Sequence, residues 1–256
     1  MDLSAVALER ALARGRRYLD SRAGCKDCHG ADLGGKIVID NAAMGRWVAP
    51  NITRGGVTKE YTGRDWVRII RHGVRRDGGI AHMPSQDFSW FSDQEIADIA
   101  AYIQSLPPVE RVMPQTKLGP VFSVLILKCA LPASAFTIDH SAPRPLYPPA
   151  VAPTVELGKH LATTCSGCHG ITLSGGPIKG GDPSWPPAKN ITFDPSGLGA
   201  WSLTDFKKAM REGTRPNGSK IQPPMPIPYT SQLQDAELEA LYGFLRTQPT
   251  KPFGNH

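Results

Sequence analysis

Cys25-Lys26-Asp27-Cys28-His29 and Cys165-Ser166-Gly167-Cys168-His169 decide the reading of this chain. Both are C-x-x-C-H, the spacing at which a porphyrin is bonded to protein through two thioethers. Each thiol adds across one haem vinyl group. The two intervening residues let both sulfurs reach the macrocycle, while the next side chain, an imidazole, comes to lie beneath the iron. A disulfide within each pair, a thioredoxin-like redox pair or half of a zinc site would use the same cysteines. Against these, neither pair sits in a βαβ pattern and neither has a second ligand pair at zinc spacing. The fifth cysteine, Cys129, makes the count odd, which argues against a purely disulfide framework. It reads as a buried small hydrophobe.

The two motifs are the most visible part of a tandem repeat. Cys25 and Cys165 are 140 positions apart, and Asn51-Ile52-Thr53 recurs as Asn190-Ile191-Thr192 at an offset of 139. Arg71-His72-Gly73-Val74-Arg75 matches Arg211-Glu212-Gly213-Thr214-Arg215, and Tyr102 aligns with Tyr242, both at 140. Each copy predicts an opening helix (4–19 and 155–162), a middle helix (63–72 and 203–212) and a closing helix (92–104 and 235–246). Thr62 and Ser202 are candidate caps of the middle helices, which Gly73 and Gly213 end. Ser92 and Glu95 form a capping box for the first closing helix, whose Ile96, Ile99, Ala100 and Ile103 make an apolar stripe. No stretch alternates convincingly as a strand. The expected fold is all-α, two domains (1–107 and 154–256) joined by a Pro-rich extended strap (108–153). The strap is apolar over 118–136 and polyproline-like over 141–153, and is expected to pack along the domains.

A haem iron with one histidine ligand has a second axial position, and the residue there sets the chemistry. Met83, in His82-Met83-Pro84, follows His29 by 54 residues, and Met225, in Pro224-Met225-Pro226, follows His169 by 56. Both follow a middle helix and a Gly-bearing loop and both precede a proline. His29, Met83, His169 and Met225 are therefore the expected iron ligands. His82 is a rival for the first iron, although its counterpart Pro224 cannot ligate. Met210 reads as core filler, and Met44 lies too near its haem-binding turn to swing across the ring. His72 aligns with Glu212, and His140, His160 and His256 have no counterparts, so none of these positions requires an imidazole. Candidate propionate donors are Asn51, Asn190, Arg75, Arg215, Trp47 and Trp185. Asn-Ile-Thr reads equally as a simple turn.

The 256 residues carry a formal charge of +6. The densest basic cluster, Arg64, Arg68, Arg71, Arg75 and Arg76, reads as a solvated helix face rather than a nucleic-acid surface. The longest apolar run, 121–127, is far short of the roughly 20 residues of a spanning helix.

The chain resembles di-haem class I c-type cytochromes, and both halves are similar to the cytochrome c domains of periplasmic alcohol, aldehyde and gluconate dehydrogenases. The residues that carry the resemblance are Asn190-Ile-Thr, Gly197-Leu-Gly199-x-Trp201, Phe206, Arg211-x-Gly213, Gly218 and Met225-Pro226, with a looser first half in which Tyr61 stands where Trp201 does. The resemblance implies all-helical domains, two covalent haems with His/Met ligation, and an electron carrier rather than an enzyme. Its partners would be redox proteins, a dehydrogenase as donor and an oxidase or other cytochrome as acceptor, with no nucleic acid. The alternatives are a di-haem enzyme of peroxidase or thiosulfate-oxidising type and a dedicated dehydrogenase subunit. Thioether attachment takes place outside the cytoplasm, which implies the periplasm or the outer face of its membrane. Because 1–9 lacks a basic start and an uninterrupted apolar core, an export signal or membrane anchor is expected ahead of Met1.

Overall fold

A computed structural model of the chain describes residues 2–128, 133–178, 181–182 and 184–254, so Cys129 and His256 lie outside the described residues. The chain divides into two compact units, Met1–Tyr147 and Pro148–His256, each mostly helical.

In the first unit Asp2 caps α1 (Leu3–Tyr18) by accepting from the amides of Ser4 and Ala5. α1 passes through a π-helical turn, Leu19–Ala23, and Gly24, at φ 58°, hands the chain to α2 (Cys25–His29). Thr62 and Asp65 form a capping box for α3 (Gly63–His72), which ends at Gly73 with φ 66°. After the single turn of α4 (Ser85–Phe88) comes α5 (Asp93–Ser105), opened by the Ser92/Glu95 box. The apolar stripe Ile96, Ile99, Ala100 and Ile103 is buried, with Leu19, Leu33, Trp66 and Phe91, in one core.

α1 packs against α5. They meet at Gly15, where a Cβ would lie 2.0 Å from the carbonyl oxygen of Asp98, so only glycine permits the approach.

Strands do occur, contrary to the expectation of none. β1 (Lys36–Asn41) pairs antiparallel with β2 (Gly45–Ala49), with a bulge between Ile37 and Ile39, and β2 pairs in turn with β3 (Lys117–Leu118). Much of the segment expected to be a strap is thus built into the first unit. It contains β3 and α6 (Pro120–Leu127), whose Phe122 is buried. Farther on, the carbonyls of Pro145 and Leu146 accept from the amides of Asp93 and Gln94, two of the donors that a helix leaves unpaired in its first turn.

The second unit repeats the plan: α7 (Val155–Ala162), a 3₁₀ turn, α8 (Ser166–His169), α9 (Leu203–Glu212), α10 (Ile227–Thr230) and α11 (Asp235–Thr247). Ser202 caps α9 in a box with Asp205, and Gly213 ends it at φ 62°. α7 crosses α11 at Gly158, where a Cβ would again lie 2.0 Å from a carbonyl oxygen, that of Ala240. The crossings correct one alignment. Gly15 faces Asp98 and Tyr102, while Gly158 faces Ala240 and Phe244. Tyr102 therefore corresponds to Phe244, not to Tyr242. The described residues contain no helix long and apolar enough to cross a membrane.

Candidate functional site

On an α-helix, residues three and four apart share a face. Cys28 and His29 stand at those intervals from Cys25 on α2, so both sulfurs and the imidazole face one way. In the second unit the 3₁₀ turn Thr163–Cys165 leads directly into α8, giving the same arrangement. Gly30 and Gly170, at φ 84° and 77°, then turn the chain away.

The loops beyond these glycines hold the imidazoles in place. His29 Nδ1 lies 2.8 Å from the carbonyl oxygen of Pro50, and His169 Nδ1 lies 2.7 Å from that of Lys189. A carbonyl only accepts, so Nδ1 carries the proton and the Nε2 lone pair is left for a metal. Burial pushes both histidines below the usual imidazole range, while the carbonyl bonds oppose it. The carbonyls are themselves positioned. Leu33 and Leu173 adopt left-handed backbone at φ 58° and 59°, sparsely populated for a leucine, and their own carbonyls accept from Ile52 and Ile191. Sequence reasoning missed this device. Its signal was the recurrence of Gly30-x-x-Leu33-x-Gly35 as Gly170-x-x-Leu173-x-Gly175.

The cysteines fit thioether attachment better than a redox pair. Burial pushes the Cys25 thiol up to about 12 and raises Cys28 as well. These are neutral thiols in the haem-free chain, not the acidic thiolates of a disulfide exchanger. The described residues hold no cluster of three or more His, Cys, Asp or Glu suited to a metal ion. Two sulfurs and an imidazole with a free Nε2 on one helical face are the donor set of a c-type haem.

The two methionines occupy matching turns. Val74 bridges Ile80 and Thr214 bridges Lys220, closing hairpins with Gly78 and Gly218 at positive φ. In each unit the residue after the hairpin bonds back to the end of the middle helix, Ala81 to Gly73 and Ile221 to Gly213. Then the amide of Ser85 donates to the carbonyl of Met83 at 2.7 Å, and Ile227 to Met225 at 2.9 Å. Between them Pro84 (φ −74°, ψ 55°) and Pro226 (φ −84°, ψ 64°) sit at the centre of inverse γ-turns. Proline presets φ for that turn, so Met-Pro in both copies encodes one backbone shape. The His82 ring stands edge-on to Phe122 of α6, with centroids 5.7 Å apart. Met210 is buried in the second core, and Met44 lies in the β1–β2 turn.

Both asparagine side chains bond within the chain. Asn51 accepts from the amide and hydroxyl of Thr53 and donates to the carbonyl of Val109. Asn190 does the same with Thr192 and donates to Ser196 and the carbonyl of Lys251. Both are buried, and both tie the segment after the closing helix to the loop that holds the histidine carbonyl. Arg75 pairs with Asp77, and Arg215 donates to the carbonyl of Lys220, each within its hairpin. Trp47 lies on β2 with its ring 6.2 Å from Phe122, whereas Trp185 is a half-exposed loop residue against Gly181. The two indoles thus have unlike settings. His72 and His140, expected to be unremarkable, face each other with Nδ1 atoms 2.8 Å apart.

The cytochrome c family model matches twice, over residues 12–107 and 155–249. The cytochrome c subunit of a quinone-dependent alcohol dehydrogenase from Gluconobacter oxydans is 37% identical over 35% of this chain and 20% of its own length. A nicotinate dehydrogenase subunit from Pseudomonas putida is 35% identical over 41% of this chain and 10% of its own length. The chain thus spans a fifth or less of these relatives. A di-haem c-type cytochrome from Cereibacter sphaeroides is 26% identical over 88% of this chain and 82% of its own length. Two family matches, each containing one thioether motif, mean two covalently bound c-type haems. With its motifs, its mainly helical units and its relatives in agreement, this chain belongs to the cytochrome c family.

Proposed function

We propose that the chain is a di-haem electron carrier working in the periplasm or on the outer face of the inner membrane, with both irons bound by histidine and methionine. The observation that carries this reading is the repeated Met-Pro inverse γ-turn, placed after the same hairpin in each unit. When bound, haem supplies a one-electron couple, and a thioether ligand raises its potential. The protein's part would be to hold the histidine and methionine ligands and to keep water from them. His29 and His169 are fixed as Nδ1–H tautomers by carbonyls. Met83 and Met225 sit in turns preset by proline, and apolar cores built on α5 and α11 back each site. Asn51, Asn190, Arg75, Arg215, Trp47 and Trp185 are the side chains proposed for the propionates.

Electrons would pass from a dehydrogenase to an oxidase or another cytochrome. The relatives that are cytochrome subunits of alcohol and gluconate dehydrogenases favour a second form of the same reading, in which the chain serves one dehydrogenase as its dedicated acceptor. Co-purification with a quinoprotein or flavoprotein would select that form.

One redox titration of the visible spectrum tests the proposal. Two one-electron waves are expected, with a sulfur-to-iron band at about 700 nm from both ferric sites. A high-spin resting haem with rapid peroxide turnover would replace the carrier by an enzyme.

A further inference from the structure

The two methionine turns match in their own backbones but differ in what braces them. In the first unit, the segment after α6 runs alongside the methionine loop in the same direction. Ser134 Oγ donates to the carbonyl of Met83 at 2.8 Å, Thr137 Oγ1 to the Gln86 side chain at 3.2 Å, and Arg144 Nε to the carbonyl of Ser89 at 2.6 Å. The contacts follow one order along both segments, 134 on 83, 137 on 86 and 144 on 89. They end with Pro145 and Leu146 accepting from the first amides of α5. The Met83 carbonyl thus accepts twice, from Ser85 within the turn and from Ser134 across to the linker, which occupies both of its lone pairs. Ser134 is buried at 5% exposure, so water competes poorly for that bond.

The second unit uses the chain after its closing helix differently. There Lys251 accepts from Asn190, Phe253 donates to Ser196 and Gly254 to Ser174, all on the loops beside His169. Val109, the counterpart of Lys251, makes the same tie to Asn51 in the first unit. The chain then continues for a further stretch that reaches the opposite axial loop.

We propose that residues 134–146 are a splint on the axial methionine loop of the first haem, and that Ser134 is a positioning residue for Met83. The splint holds the thioether in place against exogenous ligands, and among the described residues it is seen on the first unit's loop. The inference rests on Met83 being an iron ligand, as proposed above, and adds a residue outside both repeats to that site.

The test is displacement of the thioether by imidazole in the ferric holoprotein, followed as loss of the band at about 700 nm. Met83→Ala identifies the kinetic phase that belongs to the first unit, because that phase disappears. Ser134→Ala is expected to speed this phase roughly fivefold, the worth of one ordinary hydrogen bond, and to leave the other phase unchanged. Ser134→Thr, which keeps the hydroxyl, is expected to lie nearer to wild type than Ser134→Ala. An unchanged first phase in Ser134→Ala overturns the splint, as does equal acceleration of both phases. A Met83→Ala protein that retains the whole band overturns Met83 ligation itself, which is a different result.

Discussion

Asp87 stands in α4 four residues beyond Met83, where burial lifts its carboxyl to about 6 from an ordinary value of 3.8. The corresponding place in α10 is Tyr229, so the acid is peculiar to the first unit. Between pH 3.8 and 6 the folded chain keeps a proton that the unfolded chain has released, so this group's contribution to stability falls as the pH rises through that window and stays low above it. Asp87→Asn is therefore expected to stabilise the first unit at pH 7, by on the order of 3 kcal/mol given about 1.4 kcal/mol per pH unit, and to change little at about pH 4. Denaturant unfolding of both proteins at the two pH values checks this. A gain that is equal at both would mean that packing, not charge, is responsible. Asp87 lies beyond sequence reasoning because nothing in Ser-Gln-Asp-Phe says that the carboxylate turns inward. Leu33 and Leu173 were hidden for a similar reason. Leucine is an unfavourable choice for left-handed backbone, and the strain is held only because the side chains are buried and their carbonyls are needed.

At the scale of elements, the helix crossings carry the largest steric stakes. At Gly15 and Gly158 an added Cβ would meet a backbone carbonyl, which cannot swing aside as a long side chain could. Gly15→Ala and Gly158→Ala are each expected to cost about 3 kcal/mol or more, in the unit that carries the change. Gly63→Ala, where a Cβ meets nothing within 4 Å, should stay within about 0.5 kcal/mol of wild type. Thermal unfolding of the three variants, with each unit followed by its haem absorbance, checks the order. A mild Gly158→Ala would show that α7 and α11 can part at little cost.

These crossings also mark the limit of what could be read in advance. Caps at Thr62, Ser92 and Ser202 and the apolar stripe of α5 made most helices legible. The register between repeats was not. Aligning Tyr102 with Tyr242 is off by two residues, and two residues turn a helix by about 200°, to its opposite face. Gly15 precedes Cys25 by 10 residues and Gly158 precedes Cys165 by 7, and the interval holds the π-helical turn Leu19–Ala23 and Gly24 in the first unit but the 3₁₀ turn Thr163–Cys165 in the second. The β1–β2 hairpin escaped notice because its strands show no clean alternation of burial and one is bulged.

At the scale of the whole molecule, one plan is used twice and then finished differently. Each unit supplies its own thioether helix, histidine carbonyl and methionine turn, so each iron should respond to its own unit's residues. Met225→His is expected to lower one reduction potential by more than about 0.1 V, well inside the range of about 0.8 V that axial ligands span, and to leave the other wave in place. Met83→His should do the same to the other wave. The pair of variants also tests the rival ligand, because if His82 held the first iron, changing Met83 would leave both waves where they were while Met225→His still moved one. A spectroelectrochemical titration of the three proteins reads all of this directly. The result that would break the one-iron-per-unit picture is movement of both waves in either variant, since no residue of the second methionine turn belongs to the first unit.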